Sequence, residues 1–193
     1  MTSRLLAYRP EMELPQPVGA LPLQHEDELA LAAQLLEVAA PPQFDAFLTR
    51  QLGATVAGQT IRGTPLEMPL RQLLNQVVAP MLPLHGTASQ ARRQHAARLF
   101  GMELEGLSPE DQEFELARHV VHLVDAVNTA LAQNADAGGT AARAPRAQVE
   151  TALLRVARTL APGLLRQAAQ ASAQIPNGGR WRREGGHIVV LDC

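Results

Sequence analysis

The sequence predicts a mostly α protein, a compact bundle of four to six helices with a small C-terminal β-hairpin. Three observations point there. Apolar residues make up 46% of the chain, but aromatics only 3%, so the hydrophobicity comes from Ala, Leu and Val. That balance suits helix packing better than sheets. Leucines and valines recur at the helical period in several long stretches, and a glycine turn near the C-terminus is flanked by a run of β-branched residues.

Taken in order, residues 1–23 hold Pro10, Pro15, Pro17, Gly19 and Pro22. Proline fixes φ and lacks an N–H, so this stretch reads as an extended arm. A helical core is expected over 24–134. Its first helix runs from about Glu26 to Ala39, with Glu26, Asp27 and Glu28 at the positive end of the helix dipole. Leu29, Ala32, Leu35, Leu36 and Ala39 make its apolar face, and Pro41-Pro42 stops it. A short helix follows from Pro42 to Leu52. Residues 53–66, punctuated by Gly53, Gly58 and Gly63, read as a loop. A third helix from Leu66 to about Leu82 carries the cleanest stripe: Leu70, Leu73, Leu74, Val77, Val78 and Met81.

Thr87 to Gln90 has capping-box spacing and opens a basic helix that ends at Gly101, a natural C-terminal cap. Residues 102–107 alternate and suggest a short extended piece. Ser108-Pro109-Glu110-Asp111 is the best helix start in the chain: a capping serine, proline at the first position, then acids. The helix it opens runs to about Ala132 and turns Phe114, Ala117, Val120, Val121, Val124, Val127 and Leu131 inward. Residues 135–145 read as a linker. Residues 146–175 form a helix on the core, kinked or broken by Pro162-Gly163. Residues 179–193 carry the expected hairpin, with strands on either side of Gly185-Gly186. Two strands alone are marginal in water, so they need shelter on helices or on a neighbouring chain.

Net charge is −2, which excludes a global basic field for nucleic acid. All 17 basic residues are Arg, and they are segmented. Residues 1–50 and 101–150 are acidic blocks, with 3 Arg against 7 acids and 3 against 9. Residues 51–100 and 151–193 are basic, with 5 against 1 and 6 against 2. Such blocks attract within a fold or between copies. The single cysteine, Cys193, permits no internal disulfide. The N-terminal apolar run Leu5 to Tyr8 is too short for a signal-peptide core, and no stretch reaches 18 consecutive apolar residues. A cytoplasmic address is the default expectation, with any export by a non-classical route.

Met102-Glu-Leu-Glu-Gly-Leu-Ser-Pro-Glu-Asp-Gln-Glu-Phe-Glu-Leu-Ala-Arg118 and the ending Gly179-Arg-Trp-Arg-Arg-Glu-Gly-Gly-His-Ile-Val-Val-Leu191 carry a resemblance. Together they resemble a loose family of uncharacterised bacterial proteins that pair an "LELEGLSPEDxEFExAR" helix start with a terminal "GRWxRRGxxIVL" strand pair. The resemblance covers about a third of the chain and implies no catalytic residues. Many members of that family carry a glycine-zipper segment before the helix. Here Arg71 to Gln94 holds one glycine, so a membrane-inserting role does not carry over.

No complete catalytic or cofactor motif is present. Gly53 to Thr60 has phosphate-loop spacing, but Gln59 stands where the lysine that meets the outer phosphates belongs, and no strand precedes it. His119-x-x-His122-x-x-Asp125, with Glu115 one turn earlier, comes nearest to a metal set. That face lies opposite the valine stripe and reads first as a polar surface or interface face, and further ligands would have to come from a second element, with His85 and His95 the candidates. Arg180, Trp181, Arg182 and Arg183, with Ile188 and Val190, are the expected interface residues, Trp181 being the anchor.

The expectation is therefore a non-enzymatic structural or self-assembly protein. It would form homo-oligomeric or filament-like arrays through its terminal arm and hairpin. No cofactor is expected. Its partners would be further copies of itself or another protein of an assembly, rather than nucleic acid or membrane. Two alternatives stand beside this: a cargo or effector-like protein exported by a dedicated machine or acting at membranes, and a metal-dependent enzyme using His119 and His122.

Overall fold

Helix-start chemistry and apolar stripes place the helix opened by Ser108 at the centre. In the computed structural model, which describes the backbone of residues 25–86, 89–136, 143–174, 181–184 and 187–190, α6 runs Pro109–Asp136, 28 residues. The Ser108 hydroxyl accepts from the Asp111 amide at 3.1 Å and donates to the Asp111 carboxylate at 2.8 Å, which caps it. Leu116, Ala117, Val120, Val121, Leu123, Val124 and Val127 are all essentially inaccessible to solvent. The apolar arc is wider than one stripe because helices pack on several sides of α6. They are α1 (His25–Leu36), α3 (Val56–Ile61), α5 (Gln90–Phe100) and α7 (Pro145–Leu160).

The remaining helices are α2 (Pro41–Ala54), α4 (Glu67–Val78) and α8 (Pro162–Gln174). In α2, Phe44 and Phe47 stack with ring centroids 5.9 Å apart, both fully buried. The α4 stripe buries Leu70, Leu73, Leu74 and Val78, and a 3-10 turn at Ala79–Met81 ends it by burying Met81. Gly101 adopts φ 70°, the left-handed conformation that terminates α5 where glycine carries no Cβ penalty. One continuous core joins side chains from Leu31 to Ala161.

The expected fold class is corrected on two counts. Among the described residues there are eight α-helices, not four to six. Residues 53–66 are not a simple loop: α2 extends through Gly53, and Thr55 caps α3 by accepting from the Gly58 amide at 3.1 Å. Pro162 divides the expected last helix into α7 and α8. Second, no strand belongs to the packed body, which is helical in all its elements between residues 25 and 174, so the C-terminal β-hairpin is not a component of the fold class. Among the described residues, the backbones of β1 (Trp181–Glu184) and β2 (His187–Val190) pair with each other alone, antiparallel, Trp181 opposite Val190.

Smaller shifts follow from packing. The buried face of α1 is Glu28, Leu31, Ala32 and Leu35, whereas Leu29 is half-buried and Ala39 exposed. Residues 102–107 form a turn, with Gly106 at φ 82°, rather than a strand. The capping box expected at Thr87 falls outside the described residues, as does the arm at 1–23. The Ser89 hydroxyl instead donates to the His85 carbonyl at 2.7 Å. No helix among the described residues is long and apolar enough to cross a membrane.

Candidate functional site: a cleft between the fifth and eighth helices

Helix α8 reaches α5 through a contact only glycine permits. A Cβ on Gly163 would stand 2.2 Å from the Arg98 carbonyl oxygen and 2.6 Å from Leu99 Cα. The glycine therefore lets the N-terminal end of α8 settle on the C-terminal end of α5, positive dipole end to negative. Pro162 packs beside the Gly101 cap, where a Cβ would lie 3.3 Å from its Cγ.

This approach creates a cleft with two parts. One part, about 530 Å³, is lined by His95, Arg98, Arg166, Gln167 and Gln170 and by no acidic residue. The other, about 580 Å³, continues from it through His95, Leu99 and Gln167. It is lined mainly by apolar side chains, including Val77, Leu153, Leu154, Leu164 and Leu165, with Leu154 48% exposed. Arg98 and Arg166 are exposed and make no ion pair among the described residues. Here the basic blocks of the sequence meet. Helices α5, α7 and α8 together carry seven Arg and one acid, whereas α1 and α6 carry nine acids and one Arg.

A third depression, about 610 Å³, adjoins the cationic part across Arg98 and is edged by Glu103, Glu105 and Gln112. The Gln112 amide donates to the carbonyls of Leu104 and Leu107 at 3.2 and 3.1 Å and holds this turn against α6. Glu103, Glu105, Glu110 and Asp111 are exposed, and Leu107 is 39% exposed among them.

The other charged clusters serve packing. Arg93, 6% exposed, donates to the carbonyls of Leu84 and Gly86 at 3.1 and 3.0 Å and to the Glu113 carboxylate at 2.8 Å. It ties the 82–86 segment, α5 and α6 together. Asp45 of α2 pairs with Arg71 of α4, and the guanidinium hydrogen bonds hold the Asp45 carboxyl below its usual range.

His119, His122 and Asp125 are not brought together as a metal set. The His119 ring lies 5.6 Å from Phe100, and its Nδ1 is 2.9 Å from the Glu115 carbonyl. His122 points to α1, with Nε2 3.1 Å from the Glu28 carboxylate. That carboxylate is buried and also accepts from Arg118 Nε at 2.6 Å, while Arg118 Nη1 donates to Glu115 at 2.9 Å. The Glu28 hydrogen bond raises the Arg118 pKa, and burial pushes the Asp125 carboxyl up while nearby His122 pulls it down. Among the described residues, no group of three or more His, Cys, Asp or Glu is placed to hold a metal ion. His95 lines the cleft, away from this cluster.

The backbones of Trp181, Arg182, Arg183, Ile188 and Val190 lie in β1 and β2, but their side chains, and Arg180 entirely, fall outside the described residues. Sequence reasoning missed the cleft residues Arg98 and Arg166, and offered His95 only as a possible metal ligand. The signal was present in the two basic blocks, but that they meet depends on the tertiary contact at Gly163. Gln51 and Asn128 are fully buried without a hydrogen-bond partner for either polar atom among the described residues. No protein-family model, curated protein or solved structure matches the chain.

Proposed function

We propose that this is a non-enzymatic protein that works by self-association, forming a homo-oligomer. The supporting observation is the cleft between α5 and α8. It keeps two arginines and an open row of leucines side by side at the surface, next to an acidic turn, and neither the arginines nor the acids Glu103 and Glu105 form an ion pair among the described residues. Apolar surface flanked by uncompensated charge of both signs is what a protein–protein contact uses for burial and orientation. The contact is assigned to described residues of the helical body. Membership of the bacterial family resembled by residues 102–118 and 179–191 is part of the same proposal and rests on those segments alone.

Light scattering on protein eluting from a sizing column tests the reading. The expected mass exceeds the 20.8 kDa of one chain at micromolar concentration. A mass of one chain at every concentration up to the millimolar range would refute it. A second reading, docking on an anionic membrane surface, is supported by Arg98 and Arg166 standing beside exposed leucine. Co-sedimentation with vesicles separates the two.

A further inference from the structure

We infer that the face formed by α5, α8 and the turn at 102–107 is self-complementary, so that two copies close on each other about a two-fold axis. This rests on the self-association reading and assigns its surface and symmetry.

Three depressions adjoin in a row. The acidic one shares Arg98 and Met102 with the cationic one, and the cationic one shares His95 and Leu99 with the leucine-lined one. Positive and negative halves therefore lie side by side on one face. Glu103 and Glu105 find no cation within the described chain, and Arg98 and Arg166 find no acid. Among the described residues, the one hydrogen bond of the Arg98 side chain goes to the Gln94 carbonyl on its own helix, at 3.1 Å. A second copy turned by 180° places its acidic half on the cationic half of the first, and the reverse contact forms at the same time. That is the condition for an isologous contact, which satisfies both halves at once and closes. Leu107, exposed beside the acids, supplies an apolar counterpart for Leu153 and Leu154.

The turn is held in shape before any contact forms, by Gln112 and by Gly106 in its left-handed conformation. The cleft is likewise held by Gly163 on α5. A rigid pair of halves loses little ordering entropy on association.

Charge exchange in the full chain tests this. Arg98→Glu with Arg166→Glu makes the face wholly acidic. Glu103→Arg with Glu105→Arg makes it wholly basic. All four positions are exposed, so circular dichroism should report unchanged helicity. Each variant alone should dimerise at least about a hundredfold more weakly, since like charges then oppose each other twice per contact. An equimolar mixture should return to a two-chain mass, because both contacts are restored in the heterodimer. A wild-type dimer indifferent to both exchanges would place the contact elsewhere and overturn the inference while leaving self-association standing. A mass that keeps rising past two chains would overturn the closed symmetry. A monomeric wild type would overturn both readings. If it also bound phosphatidylglycerol vesicles and lost that binding in the Arg98→Glu, Arg166→Glu variant, the cleft would be a lipid site.

Discussion

Substituting Gly163 by alanine tests how the cleft is built. The new Cβ would meet the Arg98 carbonyl oxygen at 2.2 Å, where carbon and oxygen ordinarily stay about 3.3 Å apart. The start of α8 must therefore retreat by about 1 Å. The three nearest opposing atoms are all backbone, so no side chain can rotate out of the way, and the cost falls at the upper end of overpacking, about 2–3 kcal/mol. Alanine's better helix propensity returns less than about 1 kcal/mol at this terminal position. A net loss of about 2 kcal/mol lowers the urea midpoint by about 1 M at an m value of about 2 kcal/mol per M. Gly53→Ala is the paired control. Its Cβ meets only the movable Arg62 guanidinium at 3.4 Å inside α2, so it should stabilise by up to about 1 kcal/mol. Hydrogen exchange should also quicken across 162–174 in the Gly163 variant alone. Equal or greater stability for Gly163→Ala would refute the close approach of α8 to α5.

Arg93→Ala takes the guanidinium from the Glu113 carboxylate, which keeps the Gly86 amide at 3.1 Å, and from two carbonyls, and should cost about 3 kcal/mol by chemical denaturation; a loss under about 1 kcal/mol would contradict the clamp. Asp125→Asn should raise stability at pH 7. Burial raises the native pKa of Asp125 above 3.8, so the native state holds the proton more tightly. Its favourable contribution is present below pH 3.8 and is lost as pH rises through the native pKa. The gain from asparagine should therefore shrink to nothing in acid, and a gain that is constant with pH would contradict the assignment. Asp45→Asn has the opposite sign, destabilising at pH 7 and converging with wild type as pH falls below 3.8. With both partners partly exposed, its cost should stay under about 1 kcal/mol in thermal or urea unfolding. Asn128→Leu removes two unpartnered polar atoms from the core and should stabilise by about 1–2 kcal/mol; a loss of similar size would show that the amide is bonded.

Much of the helical body was readable from local chemistry. Ser108-Pro109 starts α6, Gly101 ends α5, and the α4 leucines face the core, because capping and periodicity are properties of neighbouring residues. Gly53 and Gly58 both read as loop glycines yet lie in helices, and of the two only Gly58 is required by a close approach. A Cβ on Gly58 would lie 2.6 Å from the Leu52 carbonyl, a contact between two helices. Pro162-Gly163 was readable as a break, but its role in seating α8 was not. Spacing puts His119 and His122 on one helix face but does not give their partners: the His119 ring lies 5.6 Å from Phe100 of α5, and His122 Nε2 is 3.1 Å from the Glu28 carboxylate of α1. Block charge was visible in the chain, yet the meeting of the two basic blocks beside an acidic turn is purely tertiary.

Whether the charged cleft joins two copies is settled most directly by the mass of the two charge-exchanged variants combined in equal amounts. If the cleft is the contact, each runs at one chain's mass alone and at about twice 20.8 kDa once mixed. Two variants that each keep the wild-type mass alone, and gain nothing on mixing, would contradict it.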